Sequence, residues 1–293
     1  MKKILSFFLV LLMCFLFISP GVTYAATVKL NKTKITLDEG KTYALKVTGT
    51  TKAVKWTTTN KKVATVSSKG IVTGVSKGTA NITATVSSKK YTCKVTVKEA
   101  FNAKKAISKL KAEEEDLGNE LVVILKNGYS FSYSLTATAV FYDEKGKMLG
   151  KSTNDNYYFE PGKECALNFR GPYDADYRNV PYASYKLTYQ ATPISSSIKS
   201  TLSDISITSN IGADNVMVEV TNNGDVDAKY TVISVIFYQG GVPVGYNYRY
   251  SDAEAPGSVD YLEFSFPYDS EYNTIPIDDF KVFVNYSYYY ARN

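Results

Sequence analysis

The 293-residue chain contains no histidine. That absence removes the commonest general base, the usual zinc ligand and the partner that activates a serine or cysteine nucleophile. Cysteine is nearly as scarce. Cys14 falls in an N-terminal apolar run, and the other two alternate with apolar neighbours: Tyr91, Cys93, Val95, Val97, and then Cys165, Leu167, Phe169. They read as two separate buried thiols behaving as small hydrophobes, without a disulfide framework. No P-loop, dinucleotide fingerprint or Cys-x-x-Cys pair occurs. The expectation is a protein that is not an enzyme, with no catalytic residue, no cofactor and no metal ligand.

Long apolar runs are missing too, with one exception. Ile4 to Ile18 is uncharged for 15 residues, follows Lys2 and Lys3, and is broken by Pro20 and Gly21. Thr23-Tyr24-Ala25 then offers a small residue at the end of a cleavage site. Residues 1–25 therefore read as a signal peptide, too short to span a bilayer. Cleavage after Ala25 leaves 268 residues, and no later stretch predicts a transmembrane segment or a C-terminal anchor. The expected location is extracellular, either secreted or held noncovalently at the cell surface.

Charge is unevenly spread along the chain. Residues 26–100 carry 15 Lys+Arg against 3 Asp+Glu, a net +12; residues 101–192 carry 12 of each; residues 193–293 carry 5 against 13, a net −8. The pattern is a basic head followed by a neutral and then an acidic stretch. The lysines of the head stand singly among threonines. That fits a soluble Lys/Thr-coated surface or association with an anionic wall polymer, and argues against nucleic acid as a partner.

Residues 27–99 alternate with period two: Val28/Leu30, Ile35/Leu37, Tyr43/Leu45/Val47, Val54/Trp56, Ala64/Val66, Ile82/Ala84/Val86 and Cys93/Val95/Val97. Gly-, Asn- and Lys-rich turns separate these segments, so seven strands of a small β-sandwich are expected. Trp56-Thr57-Thr58-Thr59-Asn60-Lys61-Lys62-Val63-Ala64-Thr65-Val66, followed by Gly70-Ile71-Val72-Thr73-Gly74-Val75 and Gly78-Thr79-Ala80, resembles the group 2 bacterial immunoglobulin-like family. The resemblance covers residues 27–98. It implies an immunoglobulin-like fold on exported proteins, often attached to surfaces and sometimes adhesive, and it brings no catalytic residue.

The remainder contains an internal repeat at about 95 residues. Pro161-Gly162 recurs as Pro256-Gly257, Leu167/Phe169 as Leu262/Phe264, Pro172-Tyr173-Asp174 and Tyr177 as Pro267-Tyr268-Asp269 and Tyr272, and Leu121/Val123/Leu125 as Val216/Val218/Val220. Lys104 to Asp116 alone would pass for a helix, but its counterpart, Ser203 to Thr208, alternates like a strand, which favours a strand opening at Leu110 and Ala112. The fold class is thus all-β: three tandem immunoglobulin-like β-sandwich domains after a signal peptide, at 26–100, 101–195 and 196–293. Phe141-Tyr142-Asp143 with Gly146 is similar to a strand end of small Gram-positive surface modules.

Candidate sites are few. Asp174 and Asp269 read as caps of their own turns. Asn222-Asn223-Gly224-Asp225-Val226-Asp227 is oxygen-rich, but it lacks a following bidentate acid and reads as a polar turn, not a calcium loop. Of 25 tyrosines, 22 lie beyond residue 100, and those shared between repeats, such as Tyr177 and Tyr272, read as core or rim residues. Tyr246, Tyr248 and Tyr250 differ, because their counterparts are Lys151, Thr153 and Asp155. They form either a ligand-binding stripe or a surface packed against the neighbouring module; Tyr286, Tyr288 and Tyr290 make a second alternating set. The function expected is a cell-surface binding or adhesion protein whose partner is a cell-envelope polymer, a glycan or a host protein. Its rivals are a structural spacer without a ligand and a carboxylate-only polysaccharide hydrolase.

Overall fold

A computed structural model describes residues 27–291, so the signal peptide expected at 1–25 lies outside the described residues. The chain divides into two compact units at Ala100 and Phe101. The regular secondary structure of the described residues is almost wholly strand, and the fold is all-β, with immunoglobulin-like sandwich architecture in the first unit.

Among the described residues the first unit has nine strands: β1 (Lys29–Leu30), β2 (Lys34–Asp38), β3 (Thr42–Ala44), β4 (Val47–Thr48), β5 (Val54–Thr58), β6 (Ala64–Val66), β7 (Ile71–Gly74), β8 (Gly78–Val86) and β9 (Lys89–Lys98). A four-stranded sheet, β2-β9-β8-β5, faces a three-stranded sheet, β3-β7-β6, and β1 and β4 form a short ribbon. Seven strands were expected, and two sources account for the difference. Val72 has its own strand, and the Tyr43–Val47 segment breaks in two at Leu45, whose amide donates to Gly70 O at 3.0 Å. Gly70 sits at φ +78, and a Cβ there would lie 2.5 Å from Leu45 O and 2.8 Å from the Trp56 ring. Only glycine permits that approach. Trp56 is half-buried and packs against the core of Ile82, Val95 and their neighbours.

The second unit begins with α1 (Ala103–Ser108), followed by β10 (Leu110–Asp116), β11 (Glu120–Asn127), β12 (Tyr133–Tyr142), β13 (Met148–Phe159), β14 (Glu164–Arg170) and β15 (Ser184–Thr192). It continues with β16 (Ile198–Ser200), a 3-10 turn (Leu202–Asp204), β17 (Ile205–Ile211), β18 (Asn215–Asn222), β19 (Tyr230–Gln239), β20 (Val242–Ser251), β21 (Val259–Ser265) and β22 (Asp279–Tyr290). The Lys104–Asp116 segment is divided between the two states considered for it: a short helix capped by Asn102, then a strand from Leu110. The 3-10 turn before β17 stands in the corresponding place in the second repeat. Sheets β10-β11-β14 and β13-β12-β15 make one pair, and β17-β18-β21 and β16-β22-β19-β20 the other.

The two cores share a frame and fill it differently. Ala137 in β12 lies beside Tyr189 of β15, whereas the equivalent Ile233 lies beside Val284. Small-with-large and medium-with-medium pairs fill similar volume, as close packing demands. One polar device is common to both. Asn127 is fully buried; its amide donates to Phe131 O (3.0 Å) and Phe159 O (2.9 Å), and its Oδ1 accepts from Tyr129 N. Asn222 repeats the arrangement with Val226 O, Glu254 O and Gly224 N. Each asparagine makes three hydrogen bonds to backbone groups of its own loop and of the segment packed against it. The oxygen-rich 222–227 segment is thus a loop anchored into the core by Asn222.

Replacing Asn222 with Ala removes its bonds to Val226 O and Gly224 N and leaves Glu254 O with the Ala228 amide alone, and is expected to cost about 2–4 kcal/mol by urea unfolding. Asp225→Ala, at an exposed position of the same loop, is expected to stay within about 0.5 kcal/mol.

Candidate functional site

The face carrying Tyr246, Tyr248 and Tyr250 is shaped by where the two repeats of the second unit meet. β11 reads Leu121-Val122-Val123-Ile124-Leu125, and all five are buried. Leu121, Val123 and Leu125 point into their own sandwich. Val122 and Ile124 point the other way and, with Ala166, pack on Ile236, Tyr238 and Phe283 of the second repeat. A strand buried on both faces favours a continuous apolar run, which β11 has; β19 has one broken only by Ser234, whose hydroxyl donates to Asn285.

Two of the polar contacts across this junction meet at Asn285, and Tyr238 makes another by donating its hydroxyl to Glu115 at 3.0 Å. The β19–β22 register slips between Val232 and Ile233, leaving Asn285 as the extra residue of a β-bulge. β12 and β15, the equivalent pair in the first repeat, stay in register. The bulge turns Asn285 toward β14, an edge strand whose outward backbone groups lack a strand partner. Asn285 Oδ1 accepts from Ala166 N at 2.8 Å and from Ser234 Oγ at 3.2 Å, and its backbone carbonyl accepts from the buried Asn156 amide at 2.6 Å. Tyr246 completes the seal by donating its hydroxyl to Ala166 O at 3.2 Å. Burial raises the Tyr246 pKa, which keeps that donor protonated.

The slip has a second effect. Side chains alternate along a strand, so one extra residue exchanges the two faces. Phe280, Val282 and Val284 pack into the core before the bulge. After it, Tyr286 lies beside Val232 and Tyr288 beside Tyr230, on the outer face that also carries the β20 tyrosines. Tyr286 and Tyr288 are buried among their neighbours, with Tyr230 stacked on Tyr288 at 4.9 Å and Tyr157 edge-on to Tyr286 at 5.7 Å. Tyr157, Tyr230 and Tyr290 remain exposed at the margin.

Of the stripe expected from sequence, Tyr248 and Tyr250 are open, at 50% and 60% exposure, with ring centroids 6.2 Å apart. Tyr246 is half-buried and belongs to the junction. Beside these rings a cleft of about 360 Å³ is lined on one side by Asn154, Asn168, Arg170 and Glu120 of the first repeat, and on the other by Asn247 and Tyr248. A smaller recess of about 120 Å³ adjoins it through Asn154 and runs under Tyr250. The cleft thus presents amides and one charge of each sign next to two flat aromatic rings.

The remaining candidates occupy ordinary positions. Asp174 accepts from the amides of Asp176 and Arg178, and Asp269 from those of Glu271 and Asn273. The backbone donor at Arg178 and its counterpart at Asn273 are the main reason both carboxyls are held below the usual range. Tyr177 and Tyr272, expected at the core or rim, instead stand at 88% and 87% exposure with φ of +61 and +64. Cys93 and Cys165 are buried and free, and burial pushes the Cys165 thiol up to about 12. Among the described residues, no group of three or more His, Cys, Asp or Glu side chains surrounds a common metal position. No helix among them is long and apolar enough to cross a membrane.

Asn285→Ala removes the partner of a buried amide and is expected to cost about 2–4 kcal/mol, with hydrogen exchange at Ala166 N–H accelerating in step. Tyr177→Gly relieves a left-handed backbone and should gain about 0.5–1 kcal/mol by chemical unfolding.

No curated protein matches the chain. Among solved structures it is similar to domains 5–6 of the S-layer protein SbsC, at 14% identity over 76% of this chain and 95% of that one, with a TM-score of 0.22. A second similarity is to the native conformation of E. coli alpha-2-macroglobulin, at 11% identity over 88% of this chain and 23% of that one, with a TM-score of 0.14. The family model described as "Bacterial Ig-like domain (group 2)" matches residues 25–102, which makes the first unit a bacterial Ig-like domain of group 2.

Proposed function

We infer that the chain is an exported, non-catalytic surface protein that binds a neutral glycan chain at the junction of its two C-terminal repeats. In this reading the signal peptide at 1–25 directs export. Three modules follow, at 26–100, 101–195 and 196–293, and the last two act as one binding platform in the extracellular space.

The observation that carries the reading is the pair of open tyrosines: Tyr248 lines a polar cleft, and Tyr250 lines the recess that adjoins it. A pyranose has a face of C–H bonds and a rim of hydroxyls. Flat rings suit the first, and the amides of Asn154, Asn168 and Asn247 suit the second. Glu120 and Arg170 balance each other in the cleft, and residues 193–293 are net negative, so the site favours an uncharged sugar over an anionic one. The fold does not require these rings: their counterparts in the first repeat are Thr153 and Asp155.

The test is the double variant Tyr248→Ser/Tyr250→Ser, assayed for binding to a panel of neutral and charged polysaccharides. Unfolding free energy is expected to change by less than about 0.5 kcal/mol, because both rings are exposed. Affinity for the neutral ligand is expected to fall at least about tenfold, roughly 1.4 kcal/mol. A parent protein that binds no member of the panel is the spacer without a ligand. A large stability loss in the variant would show instead that the tyrosines serve packing.

A further inference from the structure

We propose that the outer face of the four-stranded sheet β2-β9-β8-β5 in the first unit is a docking surface for a linear phosphodiester polymer. Five lysines project from that face: Lys34 on β2, Lys55 on β5, and Lys90, Lys94 and Lys98 on β9. All five are exposed, and among the described residues none forms an ion pair. Threonines fill the rest of the face, apart from Asn81 and Asp38. The opposing sheet, β3-β7-β6, has no lysine in any strand.

Solubility alone does not account for this placement. Lysine commonly guards the edge strands of a sheet, which explains Lys34 on β2 and Lys55 on β5. It does not explain Lys94 and Lys98, because that half of β9 is paired with β2 on one side and β8 on the other. Lys34 and Lys94 are also direct partners in the β2–β9 register. Like charges placed side by side on a sheet destabilise it, and no acid lies between them to relieve the repulsion. An anion does relieve it.

The side chains also select the kind of anion. Residues 26–100 hold 15 lysines and no arginine, so the face meets anions as an array of point charges and not through planar bidentate forks. Lysine ammoniums and threonine hydroxyls together suit the tetrahedral oxygens of a phosphodiester. Successive β9 lysines stand about 13 Å apart along the strand, a spacing that an extended polymer can follow. The face has no aromatic ring on which a nucleobase could stack and no ridge to enter a groove, so the polymer is a base-free one.

The experiment measures binding of the full protein to poly(glycerol phosphate) across a series of salt concentrations. It compares Lys→Thr at 34, 55, 90, 94 and 98 with a control of equal charge, Lys→Thr at the turn positions 41, 46, 61, 62 and 69. Threonine suits exposed strand positions, and thermal melting checks that both variants fold. The sheet variant is expected to bind at least about tenfold more weakly, with the slope of log affinity against log salt flatter by about 2 to 3. The turn variant should stay within about threefold of the parent. Lys94→Thr alone should raise the melting midpoint while weakening binding. Equal losses in the two five-site variants, absence of binding by the parent, or preference for duplex DNA over the base-free polymer would each overturn the proposal.

Discussion

The second unit depends on how the outward edge of β14 is satisfied. Ala166 has an amide and a carbonyl facing away from β11, and water is excluded from both by the apolar contact between Val122, Ile124, Ile236 and Phe283. Burying that contact without partners would leave two orphaned backbone groups, a cost large enough to offset much of the apolar gain. Asn285 and Tyr246 supply the partners from the second repeat. The apolar patch therefore holds the repeats together only because the two polar side chains make its burial tolerable.

Duplication gave both repeats the same frame, and small changes made their outer faces unlike. The covered positions Val122, Ile124 and Ala166 correspond to Met217, Glu219 and Tyr261, where the equivalent sheet is polar and Tyr261 is exposed. On the other side, Val232 and Ile236 correspond to Thr136 and Val140, which are only half-buried. The contact is head-to-tail. Had both repeats kept both sticky faces, nothing in the geometry would stop further copies from adding on. Glu219, Tyr261 and Thr136 leave each outer end without its complement.

Much of this was legible in the sequence, for physical reasons that can be named. Period-two alternation marks a strand with one wet face, so the first unit and the inner faces of both repeats were readable. Two duplicated glycines after proline fixed the turns. The junction was harder. Val122 and Ile124 sit in a continuous apolar run, which is a signal of burial on both faces, but reading only the alternating members hides it. Asn285 was out of reach, because a bulge is a one-residue discrepancy in pairing and pairing is not written in a single strand. Without the bulge, Tyr286, Tyr288 and Tyr290 simply continue the phase of Phe280, Val282 and Val284. Tyr246 looked like its neighbours for the same reason: what distinguishes it from Tyr248 is the partner repeat alone. Asn127 and Asn222 were readable in principle, since the same residue recurs at the repeat spacing before a glycine or a near-glycine turn.

The parallel pairing of β2 with β9 in the first unit has a mechanical meaning. After the short β1–β4 ribbon, β2 and β9 run side by side in the same direction over five residue pairs, from Lys34 with Lys94 to Asp38 with Lys98. Tension applied between the start of β2 and the end of β9 pulls the strands along their length in opposite senses. The hydrogen bonds between them are then loaded together in shear and do not open one after another, so the domain resists stretching by the combined strength of the set.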